Sequence, residues 1–192
     1  LTKLVFKTKF IINYTEQIFI KSRAGSAYPL NKIAKHTEAH IAWGKFFRDY
    51  LLQIGISGER IYMLGNYRFD LVKTITSKKN YLNSMFNLRR NSFWIIFSDN
   101  LPKNEKSNFV DKTRETIIND LKRVSELFPT IDIIFRPHPV TTKSEISHLE
   151  NSFKFNTNIV VTNKFAIQFW LKSADLFITH SSTSIFEAIY GK

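Results

Sequence analysis

Three short stretches of this chain gather side chains that can handle phosphate. The first is Arg136-Pro137-His138-Pro139. Arginine presents a planar fork of N–H donors that fits phosphate oxygens, and histidine can donate from either ring nitrogen. Two prolines fix φ and remove N–H donors, so the loop is stiff and would hold Arg136 and His138 at low entropic cost. The second stretch is His180-Ser181-Ser182-Thr183-Ser184, which offers hydroxyls and no bulk. Ile185, Ala188 and Ile189 follow at helical spacing. Ser181 or Ser182 is the expected N-cap of that helix, its hydroxyl accepting from an orphan backbone N–H. The remaining N–H groups and the positive end of the helix dipole make this turn a candidate phosphate seat. Glu187 lies one helical turn beyond Ser184, and a carboxylate there suits a ribose diol, whose two hydroxyls are donors. The third stretch is Ser98-Asp99-Asn100. Each has a plainer reading: a helix cap without a ligand, a salt-bridged Arg136, a His138 hydrogen-bonded to a carbonyl.

All three follow predicted strands. Phe93 to Phe97 is a fully apolar run, Ile131 to Phe135 is a second, and Leu176 to Thr179 is a short buried one. Between them an amphipathic helix is expected over residues 108–128, stopped by Pro129, with short helices over 144–151 and 165–173 and a strand over 159–161. Alternating strand and helix predicts a parallel sheet, doubly wound, with strands covered on both faces. On such a sheet the three loops leave from one edge, where ligands of open α/β sheets bind.

Upstream, residues 39–43 read as a strand and 45–54 as a helix closed by Gly55. Residues 60–64 read as another strand, turned by Gly65-Asn66. Strand, helix and strand fit within the ~30 residues of a βαβ unit. Residues 68–90 change character and are expected to be a loop plus one helix crossing between two domains. The fold class is therefore α/β: a Rossmann-like doubly wound parallel sheet preceded by the end of a second Rossmann-like domain. The expected division is 1–70, a linker over 71–92, and 93–192. The chain opens on Leu1 and stops at Gly191-Lys192, where a helix should be ending, so a piece of a longer protein is expected.

The chain has 192 residues, is 43% hydrophobic and has no cysteine, so it can bury a core while disulfides and thiolate zinc sites are excluded. The formal net charge of +12 favours polyanions, anionic membrane surfaces or phosphorylated substrates. The lysines are scattered rather than gathered on one basic helix, which argues against a nucleic-acid-binding module. No stretch approaches the ~20 apolar residues of a membrane helix. His138 and His180 could share a metal ion, but no HExxH spacing exists, and no metal is expected. A Ser181 or Ser182 nucleophile lacks the Gly-x-Ser-x-Gly elbow. There is no Walker or GxGxxG motif.

A strand ending in Arg136-Pro137-His138-Pro139, followed by Ala174-Asp175-Leu176-Phe177-Ile178-Thr179-His180-Ser181-Ser182, Glu187-Ala188 and Gly191-Lys192, resembles the donor-binding half of GT-B transferases. The resemblance is to glycosyltransferases of bacterial surface-carbohydrate and capsule biosynthesis, and in the same two motifs to teichoic-acid glycerophosphotransferases. Ile61 to Asp70 is similar to the closing motif of the acceptor half, with Tyr67 where that motif commonly has proline. The resemblance covers residues 39–192.

It implies that Arg136 and His138 contact the donor pyrophosphate. It also implies that His180, Ser181, Ser182 and Thr183 bind phosphate at the helix start and that Glu187 holds the ribose. The implied reaction moves a sugar from a nucleotide-activated donor to a surface polysaccharide or lipid-linked glycan. No cofactor is expected. The implied setting is the cytoplasm, with peripheral contact at the anionic inner face of the membrane. The catalytic base is unassigned, with His36 and His40 as weak candidates, and this piece alone is expected to be inactive. The alternatives are a CDP-glycerol-type glycerophosphotransferase, a nucleotide-sugar epimerase and a nucleic-acid-binding module.

Overall fold

The computed structural model describes residues 12–14, 37–89, 91–100, 108–180 and 182–191. Ser181 and His36, both candidates from the sequence, lie outside the described residues. The chain divides into two units, residues 1–67 and 68–192.

In the first unit, β1 (Ile12–Tyr14), β2 (Ala39–Ala42) and β3 (Ile61–Met63) form a parallel sheet in the order β1-β2-β3. The helix α1 (Lys45–Gln53) connects β2 to β3, as a βαβ unit requires. It ends at Ile54 and Gly55, whose φ of +88° is the left-handed conformation glycine adopts without penalty. Leu51 packs with Ala42, Ile56 and Ile61 to form the core of this unit. His40, a weak candidate base, is buried within β2.

The second unit carries a four-stranded parallel sheet of β4 (Phe93–Ser98), β5 (Ile131–Arg136), β6 (Ile159–Val161) and β7 (Leu176–Thr179), in the order β6-β5-β4-β7. Helices α2 (Tyr67–Thr74) and α3 (Lys79–Phe86) precede the sheet. Then α4 (Asn108–Leu127), α5 (Lys143–Ser152), α6 (Ile167–Leu171) and α7 (Ser184–Tyr190) alternate with its strands. Successive strand side chains point to opposite faces. Ile95, Phe97, Ile133 and Phe135 join Leu121 of α4 and Leu149 of α5 on one side. Trp94, Ile96 and Ile134 join Leu82 of α3 and Trp170 of α6 on the other. Both faces of β4 and β5 are covered, and their sequences are accordingly apolar apart from Ser98, Asp132 and Arg136.

Three expectations are corrected. Residues 71–92 are not a bare linker with one helix: α3 is part of the second core, and α2 lies on α7. There Phe69 stacks on Tyr190 with centroids 4.7 Å apart. The closing motif from Arg68 onward thus belongs to the second unit. Strand β7 is not buried on both faces: Phe177 packs against the Trp94 cluster, while Leu176 is 43% and Ile178 37% exposed. It is the outer strand, with one face covered among the described residues. The helix expected over 165–173 is only α6, because Phe165 takes a φ of +62°, which a helix cannot contain.

Candidate functional site

The sheet order sets where ligands can lie. From β4 the chain steps to β5 and then β6, and β7 returns to the other side of β4. The reversal puts the switch point of the sheet at the carboxyl ends of β4 and β7, the place where open α/β sheets bind their ligands. In register, Ser98 pairs with Arg136 on one side and Thr179 on the other. The loops carrying Asp99, His138 and His180 therefore leave the sheet at one level of one edge. Asp99 N–H donates to Arg136 O at 2.9 Å, and Thr179 Oγ1 donates to Ser98 O at 3.2 Å.

Thr179 and Ser182 build the turn into α7. Ser182 N–H donates to Thr179 Oγ1 at 3.2 Å, and Ser184 N–H donates to Ser182 Oγ at 3.2 Å. The N-cap position itself is Thr183, in helical conformation and without a side-chain cap bond. The expected serine cap is thus displaced: the Ser182 hydroxyl takes a helix-start N–H from one position before the cap. Thr179, whose place in the sequence is only that of a strand residue, ties this turn to β4. His180 is exposed.

Arg136 does not reach outward from its loop. It is 5% exposed. Its Nη1 donates to Lys164 O at 2.7 Å and Thr162 O at 3.3 Å, and its Nη2 to Phe165 O at 2.9 Å. Its guanidinium lies 5.5 Å from the centre of the Trp170 ring, and Trp170 Nε1 donates to Lys164 O at 3.0 Å. Burial pulls the Arg136 pKa down to about 10, which leaves it a cation at neutral pH. In this arrangement Arg136 shapes the loop between β6 and α6. His138 is exposed. Its Nδ1 accepts from Val140 N–H at 3.3 Å, so a neutral ring carries its proton on Nε2 as a donor. Thr142 and Glu145 then close a capping box: Glu145 N–H donates to Thr142 Oγ1 and Thr142 N–H to Glu145 Oε2, fixing the start of α5.

Glu187 is 2% exposed. Arg68 Nε pairs with its Oε1, and Gln168 Nε2 donates to its Oε2 at 3.2 Å. A carboxylate buried this deeply needs such partners. Neither Arg68 nor Gln168 carries a sequence signal for this pairing. Asp99 is likewise buried and pairs with Arg114 Nε at 3.1 Å. This pair borders a cavity of about 230 Å³ lined also by Thr141, Ser144, Glu145 and His148. Among the described residues, no group of three or more His, Cys, Asp and Glu side chains is placed to hold a metal ion. Among the same residues, no helix is long and apolar enough to cross a membrane.

No protein-family model matches the chain, and no curated protein matches it in sequence. Solved structures do. The wall teichoic acid polymerase TagF matches with a TM-score of 0.61 at 15% identity, over 93% of this chain and 44% of that one. The UDP-GlcNAc 2-epimerase from Methanocaldococcus jannaschii matches with a TM-score of 0.60 at 18% identity, over 90% of this chain and 50% of that one. Another UDP-N-acetylglucosamine 2-epimerase matches with a TM-score of 0.55 at 12% identity, over 80% of this chain and 38% of that one. The shared fold is GT-B, built of Rossmann-like domains. The chain spans half or less of the length of these proteins.

Proposed function

We propose that this chain is the donor-binding part of an enzyme that takes a nucleotide-activated sugar and passes the sugar to a surface polysaccharide or lipid-linked glycan. The observation that carries the reading is the convergence of the Asp99, His138 and His180 loops on one sheet edge, beside the β4–β7 switch point. Departure of a nucleoside diphosphate concentrates negative charge on the leaving phosphate. His138, His180 and the Thr183 N–H at the start of α7 are donors that would stabilise it. Glu187, buried between Arg68 and Gln168, would accept from the ribose hydroxyls of a nucleotide seated against it. Arg136 would act through the loop between β6 and α6, which it holds in shape, rather than by touching phosphate. The net charge of +12 suits an enzyme working at the anionic cytoplasmic face of a membrane.

Phosphopolyol transfer is the second reading. It is favoured by the likeness of the fold to a wall teichoic acid polymerase, of which one solved structure carries the H444N change and a CDPG soak. Both reactions would use the same phosphate seat and differ in what the phosphate carries. Thermal shift of the intact protein against CMP, CDP, UDP and GDP tests the common claim, with stabilisation by at least one expected. Titration with CDP-glycerol against nucleotide sugars then separates the two. Absence of any shift overturns both.

A further inference from the structure

Glu187 is held from two directions by residues distant in sequence. Gln168 Nε2, on α6, takes Oε2 at 3.2 Å. Arg68 Nε, on α2, takes Oε1. With a donor on each oxygen the carboxylate cannot turn about its last torsion, which is otherwise broad. Arg68 is itself held through its helix. Phe69 stacks on Tyr190 with an interplanar angle of 8°, and Lys73 Nζ lies 5.3 Å from the centre of the same ring. Val72 is fully buried, with its methyl groups against Gly191. These contacts fix α2 along α7 and so fix where the guanidinium stands.

We propose that Arg68 is a positioning residue for Glu187, aiming the carboxylate so that it meets both hydroxyls of a ribose. The proposal rests on reading Glu187 as the ribose acceptor. A vicinal diol is a bidentate donor, and recognition of it depends on the plane of the carboxylate as well as its charge. Arg68 sets that plane with a rigid donor, which lysine cannot reproduce.

The test compares each ribonucleotide with its 2′,3′-dideoxy counterpart by calorimetric titration of the intact protein. CMP, CDP, UDP and GDP are the probes. The unaltered protein is expected to prefer the ribonucleotide by about tenfold or more, the effect of hydrogen bonds to a charged group. Arg68→Met keeps an apolar stem of similar length and removes the donor. It is expected to cut the preference to about threefold or less while leaving affinity for the dideoxynucleotide unchanged. A merely structural role would weaken both ligands equally, and that result overturns the proposal. Where Arg68→Met does not fold, Arg68→Lys carries the same test, and a preference equal to that of the unaltered protein overturns it. Loss of the preference in Glu187→Ala but not in the Arg68 variants overturns the role of Arg68 and leaves the ribose reading standing. An unchanged preference in Glu187→Ala overturns the ribose reading and this proposal with it, as does failure of the unaltered protein to bind any of the four probes.

Discussion

Arg136 Nη1 donates to the carbonyl of Lys164 across 2.7 Å, tying the end of β5 to the loop that follows β6. Two further carbonyls, of Thr162 and Phe165, depend on the same guanidinium. Removing the guanidinium strands the Thr162 and Phe165 carbonyls and leaves Lys164 O with Trp170 Nε1 alone, in a largely buried site where unmade bonds are costly. Arg136→Ala is therefore expected to lower stability by about 3 kcal/mol or more. Arg136→Lys should recover only part, since one ammonium cannot span the fork. Denaturant unfolding measures both, and an unchanged midpoint in Arg136→Ala would contradict the structural role.

His138 should behave in the opposite way. It is exposed, and its ring accepts from Val140 N–H in its own loop. His138→Ala is expected to shift unfolding by less than about 0.5 kcal/mol, as surface changes usually do. On the proposed function it also weakens nucleotide binding by about tenfold, the loss of one hydrogen bond to a charged ligand. Calorimetric titration with the best-bound nucleotide decides, and equal affinity removes His138 from the site.

The contrast between these neighbours shows how far the sequence is legible. The apolar runs at Phe93 and Ile131 announce strands covered on both faces, and the loops after them fall where a parallel sheet must put them. The inward turn of Arg136 follows from parity only once the faces of β5 are known: Ile134 faces Trp170, and Arg136, two residues on, shares that face. A motif of two prolines with Arg and His suggests a loop and hides the fact that Arg136 is the last residue of β5. The membership of α2 was not legible, because it rests on pairs such as Phe69 with Tyr190 that lie far apart in sequence and carry no local periodicity. The same holds for the pairing of Arg68 with Glu187.

Asp175 links three elements at the other end of the sheet. Trp94 N–H donates to its Oδ2 at 2.8 Å, and Lys79 Nζ reaches the same oxygen at 2.9 Å. Burial pushes the Asp175 carboxyl up, but the Lys79 ammonium and the Trp94 N–H outweigh it and hold the group below the usual carboxylate range. A carboxyl with a depressed folded pKa contributes stability that is complete above its unfolded value, about 3.9, and is lost as pH falls through the folded value. Asp175→Asn should therefore destabilise the protein at pH 7 and flatten its acid limb. Urea midpoints from about pH 7 down to about pH 3 provide the check. An acid limb as steep as that of the unaltered protein would rule out this contribution.

Gly191 closes α7 against α2. Its φ of −81° is open to any residue, so the requirement for glycine is one of space. A Cβ built there would stand 3.0 Å from Glu187 O and 3.0 Å from Val72 Cγ2. The Glu187 carbonyl accepts from Gly191 N–H at 2.9 Å and belongs to the helix backbone, so Val72 is the side that must yield. Val72 is fully buried and has one preferred χ1 in a helix, which leaves it little room. Gly191→Ala is expected to cost about 1–3 kcal/mol, the range for overpacking a filled site. Val72→Ala, destabilising by itself through the cavity it leaves, should make the added methyl nearly free. The double variant should then be more stable than the sum of the single effects by about 1 kcal/mol or more, as expected for side chains in contact. Simple additivity across that cycle would mean that the Gly191 contact with Val72 does not limit how closely α2 and α7 approach.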